Sequence, residues 1–304
     1  VALAYLLPLV FAATANVRAG EEGGLPVTGA KPPISGQPAA RSDRVALADT
    51  GDPTRGAQKI VASAEGGSSA SEETAAIGRA LKMIADCRAR YQAVDDYVCT
   101  FYKRERIDGN LTPLHVMAMK VRTRPQSIYF KFQRPARGRE AIYIAGKNDG
   151  KVLAHDVGFN KFFAGTLALE PTGSRAMEEN RHPITEAGIG PLIDTLARRW
   201  ATELSVKDSR MAFHEEMRVG TRPCVMIESV HPHRHKEFLF HKVRVYIDKE
   251  LGLPIRFEAY DWPKLPHSEP ELTEEYTYGE VKLNVGLKEI DFDTSNKEYA
   301  FGHF

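Results

Sequence analysis

The sequence lacks the short motifs that most often announce chemistry. There is no G-x-S-x-G, no H-E-x-x-H, no G-x-x-x-x-G-K-[ST] and no dinucleotide G-x-G-x-x-G. The usual grounds for assigning a hydrolase, a metalloprotease or a nucleotide-binding protein are therefore missing, although catalytic groups can still converge on folding. Charge of one sign is lacking too: 41 basic residues stand against 40 acidic, a formal net charge of +1. Such a balance offers no long-range field for nucleic acid or an anionic membrane. Cysteine is scarce, with three residues, Cys87, Cys99 and Cys224, and no C-x-x-C, so zinc ribbons and thioredoxin chemistry lose their usual support. No internal repeat is visible, and no motif calls for a cofactor.

What is present begins with an apolar run, Val1 to Ala15, broken only by Pro8. Small residues follow it, with Ala13-Thr14-Ala15 and Val17-Arg18-Ala19 both fitting an A-x-A cleavage pattern. The expectation is a signal segment over residues 1–19, cut after Ala15 or Ala19, and hence an exported protein in the periplasm or outside the cell. The run is shorter than the ~20 apolar residues of a membrane span, so no transmembrane segment is expected after cleavage. Residues 20–70 are rich in Gly, Pro, Ser and Ala and poor in large apolar side chains. They read as a disordered linker.

Beyond it, a cap candidate and acidic residues at Ser71-Glu72-Glu73 precede Ile77, Leu81, Ile84 and Tyr91, which recur at helical spacing. A helix is predicted over 72–93. The period then changes to two. Tyr97, Cys99 and Phe101 alternate with other residues, Asp108-Gly109 marks a hairpin, and LHVMAMKVR supplies the returning strand. Strand-like runs at 127–133, 141–145 and 151–156 follow, the last two flanking a turn at 146–150. A second helix is expected to open at Gly190-Pro191, with Leu192, Leu196, Trp200 and Leu204 on one face. Strand-like runs at 211–217, 222–231, 240–248, 255–262 and 273–285 close the chain. About nine strands against two principal helices predict an α+β, mostly β fold: a curved antiparallel sheet or half-open β-barrel with two covering helices, built from residues 71–304.

Several groups are candidates for a site. Met117 and Met119 share a strand face with Val121, and Phe130 and Phe132 share one on the next strand. Methionine adapts to shapeless apolar ligands, so these residues, with Leu192, Leu196 and Trp200 of the lid-like helix, are candidate lining for a lipid-sized apolar site or ordinary core. His231, His233 and His235 recur every second residue, about 7 Å apart if extended, a spacing at which two could share a metal. Pro232 and the neighbouring Arg234 and Lys236 favour a solvated loop there instead. Asp291 and Asp293 read as a capped turn rather than a calcium loop. Arg181 and His182, in Asn180-Arg181-His182-Pro183, either meet a polar ligand group or tie down a loop crossing the sheet. A Cys99–Cys224 disulfide is a candidate because both residues fall in predicted strands; three buried thiols are the alternative.

Two stretches carry a resemblance. They are Val243-Arg244-Val245-Tyr246-Ile247-Asp248 running into Gly252-Leu253-Pro254-Ile255-Arg256, and Leu283-Asn284-Val285-Gly286-Leu287 with Asp291-Phe292-Asp293. With Tyr97-x-Cys99-x-Phe101-x-Lys103 and Asn180-Arg181-His182-Pro183-Ile184, they resemble a bacterial domain-of-unknown-function family numbered 1571. The first stretch is also similar to the LolA-type outer-membrane lipoprotein-sorting proteins. That likeness implies a half-open β-barrel with helices over its mouth and a cavity for acyl chains; it transfers no ligand-binding residue. The function expected is a non-catalytic carrier of an acyl chain, lipid or lipidated partner, with no nucleic-acid partner. A cell-envelope hydrolase and a structural or protein-interaction module are the competing classes. A carrier predicts an apolar cleft, a hydrolase a polar cluster with perturbed ionisation, and a module a filled barrel.

Overall fold

A computed structural model describes residues 70–156, 165–265 and 267–301. The expected signal segment and all but the last residue of the expected linker lie outside the described residues. Helix α1 spans Ala70–Tyr91, with Glu72 and Glu73 in its first turn and Arg88 and Arg90 in its last, charges placed to suit the helix dipole. It buries Ile77, Ala80, Ile84 and Cys87, a stripe at helical spacing.

Seven strands follow: β1 (Asp96–Ile107), β2 (Asn110–Leu111), β3 (His115–Arg122), β4 (Ser127–Arg134), β5 (Glu140–Ile144), β6 (Val152–His155) and β7 (Leu167–Leu169). A crossover holds the four-residue helix α2 (Ser174–Met177) and then α3 (Ile189–Val206). The chain returns through β8 (Arg210–Val219), β9 (Arg222–Val230), β10 (Lys242–Asp248), β11 (Pro254–Tyr260) and β12 (Leu272–Leu283). The expected Asp108-Gly109 turn is present, with positive φ at both residues. It returns into the two-residue β2 before β3 takes up pairing with β1.

The strands form one antiparallel sheet in the order β7-β6-β5-β4-β3-β1-β12-β11-β10-β9-β8, with β2 beside β1. It is an unclosed, curved sheet, as the sequence predicts; the short strands β2 and β7 and the short helix α2 were not expected. Its topology is two meanders joined by one seam, β1 against β12, whose register shifts between Val98 and Thr100.

Alternation assigns the faces. On one face Tyr97, Cys99 and Phe101 of β1, Met117 and Met119 of β3 and Val243 and Val245 of β10 pack with the buried sides of α1 and α3. Helix α3 contributes Ile189, Ile193, Leu196 and Trp200, all at most 1 % exposed. The opposite face is covered at β4 and β5 by Phe292, Tyr299 and Phe301 of the C-terminal segment. Further along it carries a ladder of ion pairs: Arg104 to Glu275, Glu275 to Arg256 and Arg244 to Glu228 across strands, and Arg256 to Glu258 along β11.

Two expectations are corrected. Helix α3 is capped by Gly188, not Gly190. Gly188 has φ of 115°, a conformation that glycine supplies without steric cost. Gly190 lies inside the helix, where a Cβ would meet the Tyr91 ring at 2.5 Å. The Cys99–Cys224 bridge is not formed: all three thiols are free. Cys99 belongs to the core under the helices, whereas Cys224 sits with Met226 and Tyr246 in a separate cluster.

Asp96 fixes the seam at its start. Its carboxylate accepts hydrogen bonds from the backbone N–H groups of Val285, Gly286 and Leu287 at 2.7 to 3.2 Å. Substituting Asp96→Ala removes a buried carboxylate that accepts from three part-buried N–H groups and is expected to cost about 2 kcal/mol. Urea unfolding checks this, and a loss under ~1 kcal/mol would show that the seam does not need the carboxylate.

Candidate functional site

The same alternation that fills the core opens a cleft. Rows of cross-strand neighbours run beneath α3 and the crossover: Tyr278 opposite Phe101, Phe101 opposite Met117, and Met117 opposite Phe132. A second row passes from Phe130 to Ala141, Ala154 and Leu167. Large side chains thus give way to two alanines over β5 and β6. The space left between this floor, α3 and the crossover is a cavity of about 850 Å³.

Aromatic rings pave much of its floor. Phe257 stacks on Tyr276 at 6.1 Å, Tyr276 on Phe101 at 6.0 Å, and Phe101 on Phe130 at 5.8 Å. Four of the sequence candidates, Met117, Phe130, Phe132 and Leu192, line the cavity. The other three, Met119, Leu196 and Trp200, are each 1 % exposed and lie in the closed core beside it.

A polar rim adjoins the apolar floor because two strand faces change character partway along. On β1 the face of Tyr97, Cys99 and Phe101 continues into Lys103 and Glu105; on β12 the face of Tyr278 and Tyr276 continues into Glu274. Glu105 accepts hydrogen bonds from Tyr276 Oη at 2.6 Å, Lys103 Nζ at 3.1 Å and the Arg181 backbone N–H at 3.0 Å. Lys103 also donates to the Asn180 side chain. Glu274 meets Arg181 Nε at 2.9 Å and His182 Nε2 at 3.1 Å, while His182 Nδ1 reaches Glu186 at 3.1 Å. Arg181 and His182 therefore tie the crossover to β12, and His182 also faces the cleft.

Ionisation in this rim follows the pairing. The hydrogen bond to Glu274 outweighs desolvation and raises the His182 pKa. Burial opposes the charge on Glu274, but the hydrogen bonds and charges of His182 and Arg181 overcome it and hold the carboxyl below its usual range. Desolvation, reinforced by Glu274 and Glu105, pushes the Tyr276 hydroxyl up. The rim is thus a set of mutually satisfied ion pairs.

The histidines proposed for a metal separate. His231 is buried, with Nδ1 at 2.6 Å from the Phe240 carbonyl and Nε2 at 3.1 Å from Glu203. His233 pairs with Asp208, and His235 packs at the edge of Phe238. Among the described residues no three His, Cys, Asp or Glu side chains converge to hold a metal ion. Ser229 joins Glu203 and His231, but it donates to Glu203 at 2.7 Å, and all three are at most 4 % exposed. A serine whose proton already belongs to a carboxylate in closed core is not a nucleophile poised for substrate.

A family model described as "Protein of unknown function (DUF1571)" matches residues 94–301. The chain belongs to this family. Helix α1 lies ahead of the matched region yet shares its core. No curated protein matches the chain. Among solved structures, it is similar to the lipoprotein LppX of Mycobacterium tuberculosis, with 10% identity over 71% of this chain and 99% of that one and a TM-score of 0.42. It is also similar to MucB in complex with MucA(peri), at 16% identity over 75% and 62% of the two chains and a TM-score of 0.40. A LolA superfamily protein from Nitrosomonas europaea gives 10% identity over 70% and 97%, with a TM-score of 0.28.

Phe257, Tyr276, Tyr278 and the rim carboxylates were not among the sequence candidates. Tyr276 and Tyr278 share one face of β12, and the same face-counting that found Phe130 and Phe132 would have reached them.

The rim gives a pH dependence with a defined sign. Because the folded-state pKa of His182 is raised, its stabilisation is complete below the unfolded value of about 6.5 and is lost as pH rises through the folded value. The depressed Glu274 contributes above its unfolded value of about 4.3 and loses that contribution as pH falls through its folded value. The His182→Gln variant should therefore be destabilised most, relative to the parent, between about pH 4.5 and 6.5. The difference should shrink above that range in urea titrations at several pH values. A difference that grows with rising pH would overturn the pairing.

Proposed function

We propose that this protein is exported and holds an acyl chain, of a lipid or of a lipid-modified partner, in the cleft beneath α3 without transforming it. The observation that carries the reading is the continuous floor of Phe257, Tyr276, Phe101, Met117, Phe132 and Phe130, leading to the small side chains of Ala141 and Ala154. A cavity of about 850 Å³ is within the ~300–1,000 Å³ range of small-ligand pockets. Each methylene buried there contributes about 0.8 kcal/mol, so a long chain can be held without a dedicated polar motif.

The competing classes are less well supported. A structural module predicts filled space where the cleft lies. A hydrolase needs a group able to take or give a proton at a substrate, and in the rim Glu105 and Glu274 already accept from Tyr276, Lys103, Arg181 and His182. No described helix is long and apolar enough to cross a membrane.

Two measurements test the reading. Intact mass of protein recovered from its native host should correspond to a chain starting at Asn16 or Gly20; a retained first segment would overturn export through signal cleavage. Gentle extraction followed by mass spectrometry should recover an acyl-bearing molecule. Ala154→Phe, which places a ring in the cavity rather than in packed core, should then reduce its occupancy at least fivefold while leaving the unfolding midpoint within error. Unchanged occupancy in that variant, or an empty parent that binds no added fatty acid, would sink the carrier reading.

A further inference from the structure

Most charged side chains around the cleft have a partner. Lys103 and Glu105 pair, Arg139 is bound to Asp156 and Glu179, and Asp194 reaches out of the cleft to Arg88 of α1. Arg175 and Arg199 have none among the described residues; Arg175 is exposed to water, whereas Arg199 is partly withdrawn from it. Arg199 stands on α3 among the residues lining the cavity and is half-buried. Among the described residues its guanidinium has no hydrogen bond or ion pair; its Cζ lies 5.5 Å from the centroid of the Phe240 ring.

The carboxylates whose charge reaches it are committed elsewhere: Glu274 to Arg181 and His182, Glu203 to Ser229 and His231, and Glu186 to His182. Burial accordingly disfavours its charge and lowers its pKa. Five donors in a planar fork, partly withdrawn from water and unpaired, match a carboxylate or a phosphate more closely than any other group.

Position adds direction. Helix α3 packs on β11, and Phe257 of β11 lines the same cavity as Arg199, whereas Ala154 lies on β6. From β11 to β6 the sheet order runs through β12, β1, β3, β4 and β5. At about 4.8 Å per strand that is roughly 29 Å of curved floor, enough for a long extended acyl chain with its head at Arg199 and its tail over the alanines.

We propose that Arg199 anchors the anionic headgroup, a carboxylate or a phosphate monoester, of the acyl-chain ligand in the cleft. The assignment rests on the acyl-chain reading above and gives it polarity: the charged end sits under α3 near β11, and the apolar end is buried toward β6. Arg198, exposed and donating to Thr195 Oγ1, plays no part in it.

Calorimetric titration with dodecanoate, dodecyl phosphate, dodecanol and inorganic phosphate separates the possibilities. The parent protein should bind dodecanoate or dodecyl phosphate about tenfold or more tightly than dodecanol, as a charge-assisted bidentate contact requires. Arg199→Gln should abolish that preference while dodecanol affinity and the unfolding midpoint stay unchanged, and Arg198→Gln should keep the preference. Inorganic phosphate alone should not bind measurably at millimolar concentration, which would place the source of the anion on the chain. Equal affinity for dodecanol and both anions in the parent, or a preference that survives in Arg199→Gln, would overturn the anchor while leaving the acyl-chain reading intact. Phosphate bound as tightly as dodecyl phosphate would overturn it in favour of a free-anion site. Failure of every chain-bearing probe to bind the parent would overturn the acyl-chain reading itself and the anchor with it.

Discussion

Everything in this molecule hangs on the pairing of β1 with β12. Each meander is locally connected, strand to neighbouring strand, and could be drawn without reference to the other. The seam alone makes them one sheet, and the cleft lies across it. Phe101 belongs to one side, Tyr276 and Tyr278 to the other, and their ring contacts exist only because the register of the seam is what it is. A slip of one residue would turn the aromatic floor to the opposite face. The contacts at its start, three backbone N–H groups on Asp96 and the Ile189 N–H on the Tyr97 hydroxyl, hold the seam to both the C-terminal segment and α3.

The rim shows how a polar cluster can be structural and still shape a site. Lys103 and Glu105 are 7 % and 1 % exposed, and two charges withdrawn that far are tolerated only when their hydrogen-bonding capacity is met. Tyr276, Asn180 and the backbone of Arg181 meet it here. The result is a crossover pinned to the sheet at one end of the cleft, which keeps the helix lid at a fixed height above the floor. A cavity needs such spacers, since apolar walls without them would collapse onto each other to bury their surface.

How much of this was legible in the sequence depends on the range of the interaction. Alternation in β1, β3, β4 and β10 to β12 and the stripe on α3 are local patterns, and they located the strands, the helix and the side of the sheet it covers. Periodicity also picked Met117, Phe130, Phe132 and Leu192, which line the cleft, together with Met119, Leu196 and Trp200, which do not. A period reports the face a side chain shares but not how deeply its neighbours enclose it. Gly188 was passed over as the cap because α3 begins on a backbone conformation, with no capping side chain to mark it. Arg199 carries no local signal at all. Its isolation follows from Glu274, Glu203 and Glu186 having taken other partners, and those choices are made by strands far away in the chain.

The span of the seam also orders events in time. Glu105 and Tyr276 stand 171 residues apart, so closing that loop carries a large entropic cost that no short-range contact offsets beforehand. Both meanders can form hairpin by hairpin, yet the aromatic floor of the cleft stays divided until β12, the last strand of the described residues, has docked on β1. The cleft is therefore a late product of folding, because the two halves of its floor meet only when the seam closes.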